Sequence, residues 1–155
     1  MFDDLRELYQ EVILDHGKHP RNFRHPPNAT CEAQGDNPLC GDRLIVYLTL
    51  APDGLIADAA FLGRGCAIST ASASLMTEVV RGKTIEQAGA LFSHFHTLCT
   101  SNDEPCENHD VSADDLDKLR VLSGVRQYPV RVKCATLPWH TLNAALSGSI
   151  SASTE

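Results

Sequence analysis

Two alternating runs joined by a tight turn constrain this chain more than any other feature. From Arg43 to Leu50, "RLIVYLTL", Leu44, Val46, Leu48 and Leu50 fall on one face and Ile45, Tyr47 and Thr49 on the other. That is the period of a strand with one fully buried side. Pro52-Asp53-Gly54 follows, proline presetting φ and glycine accepting a positive one. The chain then returns through Leu55 to Leu62, which makes an antiparallel hairpin. A hairpin brings its outer ends together. Cys40 and Asp42 stand just before the first strand and Cys66 just after the second. The spacing therefore predicts that these side chains meet at one end of the sheet, although 24 to 26 residues separate them.

The remaining elements read more simply. Residues 3 to 16 carry Leu5, Leu8, Tyr9, Val12 and Ile13 at helical spacing, with acidic residues at the start and Gly17 at the end. A turn-rich linker runs from His19-Pro20 through Pro26-Pro27, and a short strand is expected near Thr30 to Gln34. Gly63-Arg64-Gly65 ends the second hairpin strand; it is no phosphate loop, because the lysine and threonine such a loop needs are missing. Ala67 to Arg81 is rich in small residues and reads as a helix packed closely on the sheet. Thr84-Ile85-Glu86-Gln87 reads as a capping box opening another helix to about His96. Ser112 caps a short helix to Leu122, and Trp139 to Leu146 is expected to be helical, with Trp139 as apolar payload. Strands first and helices after them predict an α+β fold: a small antiparallel sheet of about three strands against several helices, in one domain over 1–146, with a flexible tail over 147–155.

A length of 155 residues fits a single domain that needs no covalent staples. The formal charge of −7 argues against general nucleic-acid binding. No apolar run approaches the ~20 residues of a membrane span. The acidic, amphipathic start is wrong for a signal peptide, so a cytoplasmic protein is expected. In a reducing cytosol its six cysteines are metal ligands, reactive thiols or core residues before they are disulfides. An acidic stretch (Asp103, Glu104, Glu107, Asp110, Asp114, Asp115, Asp117) precedes a basic one (Lys118, Arg120, Arg126, Arg131, Lys133). Both read as solvated surface, or as a docking surface for a charged partner.

Cys66 also starts a helix, where free amides and the dipole favour a thiolate. Cys40, Asp42 and Cys66 leave one tetrahedral position open, and Cys134 is the candidate for it, with a helix following. Three thiolates and a carboxylate suit zinc and carry about four negative charges against two positive. Arg126, Arg131 and Lys133 are candidate counter-charges. On spacing alone, the alternative that these are buried core cysteines stays open.

The segments "NPLCGD", "GRGCAISTASASLMTEVVRGKT" and "LSGVRQYPVRVKCATLPWHTL", with the opening "LYQEVILDHGKHPRNF", resemble the IscU/NifU-type iron–sulfur assembly proteins. The likeness covers most of residues 5 to 146 and is nearer to the SufU branch. Lys133 stands where IscU-type members have histidine, and residues 97 to 117 occupy the place of the SufU-type insertion. "YPVRVKC" replaces the proline-rich chaperone segment of IscU, so no Hsp-type chaperone partner is expected.

The resemblance implies a zinc site at Cys40, Asp42, Cys66 and Cys134. It implies that Cys40 accepts persulfide sulfur from a SufS-type cysteine desulfurase, a pyridoxal-phosphate enzyme whose histidine displaces Cys40 from the metal, and that sulfur passes on to a downstream iron–sulfur scaffold. Arg131 is the candidate for steadying the negative site or engaging the partner. The first rival is an IscU-type scaffold carrying a [2Fe–2S] cluster on the same cysteines; the second is a non-enzymatic binding module with a structural zinc.

His94, His96, Cys99, Cys106 and His109 form a second cluster, a departure from the family pattern. It reads as a surface insertion with helix-face histidines and spare thiols; a second metal site and a Cys99–Cys106 disulfide are the alternatives. Cys31 reads as a strand residue without a role, and His16 as a cap in the last turn of its helix.

Overall fold

The computed structural model describes residues 2–38, 41–100, 111–148 and 151–153, with side chains from Tyr9 to Ser151. The chain runs α1 (Phe2–Lys18), β1 (Cys31–Asn37), β2 (Asp42–Leu50), β3 (Ile56–Arg64), α2 (Ala67–Val80), α3 (Ile85–Thr100), α4 (Ala113–Leu119), a 3-10 helix (Arg120–Gln127), α5 (Pro129–Leu146) and β4 (Ser151–Ser153). The sheet order is β3-β2-β1-β4. β2 pairs antiparallel with both neighbours, so the α+β fold with three antiparallel strands stands as read from the sequence.

The hairpin forms where the alternation placed it. Val46 pairs with Phe61 and Arg43 with Arg64. Gly54 takes φ +88° in the turn, and its N–H bonds to the Ala51 carbonyl at 2.9 Å. Leu44, Val46 and Leu48 are buried on the helix-facing side. β1 is longer than the sequence suggested and ends at Asn37, which pairs with Asp42. The capping box of α3 is reciprocal: Gln87 N–H donates to Thr84 Oγ1 at 3.0 Å and Thr84 N–H to Gln87 Oε1 at 2.9 Å.

α5 and α2 cover the buried face, α5 against β1 and β2 and α2 against β3. Gly35 makes the close approach of α5 possible, since a Cβ there would run into the Thr141 hydroxyl. Trp139 is fully buried and stacks on Phe95 with ring centroids 5.1 Å apart, so its role as core payload stands.

Three expectations change. The last helix begins at Pro129, ten residues before Trp139, and Cys134 rides within it instead of preceding it. Pro129 suits the first helical position, where an N–H would go unpaired, while Val130, Val132 and Pro138 disguise the helix in sequence. The tail read as flexible from residue 147 contributes β4, which pairs in parallel with Gln34–Asp36 of β1; a three-residue Ser-Ala-Ser strand leaves no apolar signal. His16 lies in the last turn of α1, where the sequence placed it, but its side chain is not spent on capping. It is buried against α2, with Nδ1 2.6 Å from the Ser74 hydroxyl.

Candidate metal centre

Three elements meet at the open end of the hairpin. Asp42 is the first residue of β2, Cys66 is the N-cap of α2, and Cys134 lies in α5. One donor atom from each lies within 4.8 Å of the other two. Tetrahedral zinc with Zn–S bonds near 2.3 Å has sulfur-to-sulfur edges of about 3.8 Å, which falls within this spacing. Asp42 and Cys134 are buried and Cys66 is half-buried, so the cluster opens to one side.

Backbone and amide donors fix the orientation. Cys66 N–H donates to Asp42 Oδ1 at 2.9 Å, which ties the start of α2 to the start of β2. Ser69 N–H reaches Cys66 Sγ at 3.5 Å, so the sulfur occupies the helix N-cap as the sequence predicted. Asn37 Nδ2 lies 3.2 Å from Asp42 Oδ2 and 3.7 Å from Cys134 Sγ. Gly65 leaves room for the carboxylate: a Cβ there would sit 2.5 Å from Asp42 Oδ1 and 2.5 Å from Ser69 Oγ. A crowded, polar, buried pocket of two sulfurs and a carboxylate oxygen fits a divalent metal ion of zinc's preference. It is poorly suited to a core, since a buried carboxylate needs compensation.

Of the four site residues proposed from the sequence, Asp42, Cys66 and Cys134 lie side by side. Cys40 lies outside the described residues, as do Cys106 and His109 and the acidic residues Asp103, Glu104, Glu107 and Asp110. Asn37 was missed. It opens the segment "NPLCGD", but its place opposite Asp42 emerges only once β1 and β2 are paired.

Of the candidate counter-charges, Arg131 is exposed and Lys133 half-buried on α5. Arg126 Nε bonds to the Ser123 carbonyl at 3.0 Å in the 3-10 helix. Two further cations stand near the centre in sequence: Arg43 follows Asp42 and pairs with Asp36 at 2.9 Å, and Arg64 lies opposite it on β3. On α4, Asp115 is buried and pairs with Lys83 at 3.2 Å, so this part of the acidic stretch is not solvated surface.

The second histidine/cysteine cluster does not assemble among the described residues. Cys99 is a free thiol buried in the core, not a spare surface thiol, and burial pushes its pKa up to about 12 against the opposing Arg126 charge. A thiol held protonated is a poor ligand. His94 is buried and His96 exposed on the same helix. Burial, with a smaller push from His96, lowers the pKa of His140.

The family model described as "NifU-like N terminal domain" matches residues 8–135. The chain is 40% identical over 145 residues to the zinc-dependent sulfurtransferase SufU of Bacillus subtilis (strain 168), covering 93% of this chain and 92% of that protein. It is 39% identical over 150 residues to the iron–sulfur cluster assembly scaffold protein IscU of Streptococcus pyogenes serotype M1, covering 96% and 88%. Among solved structures, a putative iron–sulfur cluster assembly scaffold protein for the SUF system from Fervidobacterium islandicum AW-1 superimposes with a TM-score of 0.78 at 32% identity, covering 90% of this chain and 97% of that one.

Proposed function

The chain belongs to the NifU-like N-terminal domain family of iron–sulfur cluster assembly proteins, and from that premise we propose that it is a zinc-dependent sulfurtransferase. In this reading Cys40 takes persulfide sulfur from a SufS-type cysteine desulfurase and relays it to a downstream iron–sulfur scaffold complex. Relatives named as transferase and as scaffold are almost equally similar, so identity does not choose between them. The donor set does. A buried carboxylate with two sulfurs suits zinc, which takes oxygen beside sulfur, better than a [2Fe–2S] cluster, which is held by thiolates or histidine. Lys133, before Cys134, offers no imidazole to complete a cluster.

Zinc held by Cys40, Asp42, Cys66 and Cys134 supplies one thing: it keeps the thiols deprotonated at neutral pH. The residues do the rest. Asp42, Cys66 and Cys134, anchored on three different elements, would hold the metal together with Cys40, and a histidine of the desulfurase would take the place of Cys40 so that its thiolate is free to react. The Cys40 thiolate attacks the outer sulfur of the desulfurase persulfide. A new S–S bond forms at Cys40, the partner's S–S bond breaks, and its cysteine leaves as thiolate with no net oxidation. Arg131, on the exposed first turn of α5, would engage the partner.

The deciding experiment is anaerobic counting of metal and persulfide with and without the desulfurase. One zinc per chain and persulfide on Cys40 support transfer. Iron with acid-labile sulfide favours the scaffold, and zinc with no persulfide favours a structural metal.

A further inference from the structure

We infer that Asn37 is a positioning residue that clamps Asp42 and Cys134 into one unit, so that three donors keep the metal when the fourth leaves. This deepens the zinc reading above and rests on it.

The geometry is specific. Asn37 is fully buried, at the end of β1 and opposite Asp42 in the sheet. Its Nδ2 lies 3.2 Å from Asp42 Oδ2 and 3.7 Å from Cys134 Sγ, on a residue 97 positions away. An amide nitrogen carries two hydrogens, one for each acceptor. The opposite amide orientation would turn an oxygen toward a carboxylate and a sulfur that both accept, so chemistry selects the nitrogen. Asn37 Oδ1 is buried with no hydrogen-bond partner among the described residues. Leaving an amide oxygen orphaned costs free energy, and an apolar residue would fill the same space without that cost. The cost makes sense where the two N–H donors are needed.

The clamp also completes a chain of constraints. Cys66 is already tied to Asp42 through its own N–H, and its sulfur is held by the Ser69 amide. Asn37 adds Cys134, joining a ligand on α5 to ligands on β2 and at the start of α2. The frame joins Asp42, Cys66 and Cys134, three of the four proposed donors. Loss of one bond to zinc should then leave the ion held, which a relay needs while Cys40 reacts.

The test uses the full chain with zinc and with cobalt as a spectroscopic substitute. Wild type, Cys40→Ala, Asn37→Leu, Asn37→Asp and the Cys40→Ala/Asn37→Leu pair are compared by chelator competition. Asn37→Leu and Asn37→Asp are expected to weaken zinc about 10- to 100-fold. The loss should be larger in the Cys40→Ala background, a coupling that independent roles would not give. The thiolate-to-cobalt charge-transfer band should move to lower energy, since a sulfur without its hydrogen bond is a better electron donor; a merely structural role would not move it. Zinc affinity within threefold of wild type in both backgrounds, or an unmoved band, overturns the inference. Should neither variant fold, cadmium-113 substitution of wild type decides, with scalar coupling between the metal and an Asn37 side-chain amide proton expected and its absence fatal. Wild type that binds neither zinc nor cobalt removes the zinc reading itself, and this inference with it.

Discussion

The backbone N–H of Cys66 donates to Oδ1 of Asp42 across 2.9 Å, closing the open end of the β2–β3 hairpin. That short bond needs Gly65 beside it. A Cβ on residue 65 would lie 2.5 Å from Asp42 Oδ1 and 2.5 Å from Ser69 Oγ, closer than real Cβ contacts come. Gly65→Ala should therefore push Asp42 away from Cys66 while leaving the sheet intact. Zinc affinity is expected to fall about tenfold or more, with a small drop in melting temperature. Chelator competition beside a thermal melt checks this, and unchanged affinity would refute the tight fit around the carboxylate.

Asp42→Asn separates geometry from charge. The amide oxygen can still accept from Cys66 N–H, so the fold should persist. The site loses a negative donor while Asn37 Nδ2, 3.2 Å from Oδ2, then faces either a second NH2 group or a weaker acceptor. Zinc should bind at least about tenfold more weakly, a change of ~1.4 kcal/mol. Circular dichroism of the metal-free variant and a zinc titration decide; wild-type affinity would remove Asp42 from the ligand set.

Cys40→Ser tests the transfer step itself. Docking to the desulfurase should stay within a few-fold of wild type, because Asp42, Cys66 and Cys134 are tied to one another through Asn37 and the Cys66 N–H. Persulfide on the variant should drop to background after incubation with desulfurase and cysteine. Mass spectrometry of the intact chain reads both states. A serine variant that still accumulates sulfur would show that another thiol is the acceptor.

Much of this centre was readable because strands announce themselves with a period of two. Leu44, Val46, Leu48 and the Pro52-Asp53-Gly54 turn were enough to place Asp42 beside Cys66. The arrival of Cys134 depends on α5 crossing the sheet, and that depends on Gly35 letting Thr141 approach, a tertiary fact with no local signature. Asn37 was illegible for a related reason. A polar strand such as Cys31–Asn37 gives a weak pattern, and its end residue gains meaning only when the register with β2 is known. Val130, Val132 and the internal Pro138 hid the extent of α5, since propensity yields to packing there.

Cys99 should prove inert toward metal. Its thiol is buried in the core and its pKa is pushed up to about 12. Cys99→Ser should keep zinc near one per chain and lower stability by about 1–3 kcal/mol, the cost of a buried hydroxyl without a partner. In native wild type, alkylation at pH 8 should leave Cys99 unmodified until denaturant is added. Loss of zinc in the serine variant would restore the second cluster as a metal site.

His16 should give the fold a pH dependence of defined sign. Burial, first, and the Arg21 charge hold its pKa below the ordinary histidine value, while Glu78 and Asp15 pull it up and lose. The unfolded chain titrates near pH ~6.5, so below that pH it binds more protons than the native protein. Stability must then rise with pH across this window, and the contribution is lost as pH falls through the native value. His140 is lowered in the same direction and should leave a residual slope, whereas Asp15 and Asp58, held low by Arg21 and Arg24, act at more acidic pH. His16→Asn keeps a polar group near the Nδ1 position, 2.6 Å from Ser74, but cannot take up the proton. Urea midpoints between about pH 7 and pH 5 should fall in wild type and fall less in His16→Asn. Equal slopes in the two proteins would mean that the buried ring does not stay neutral.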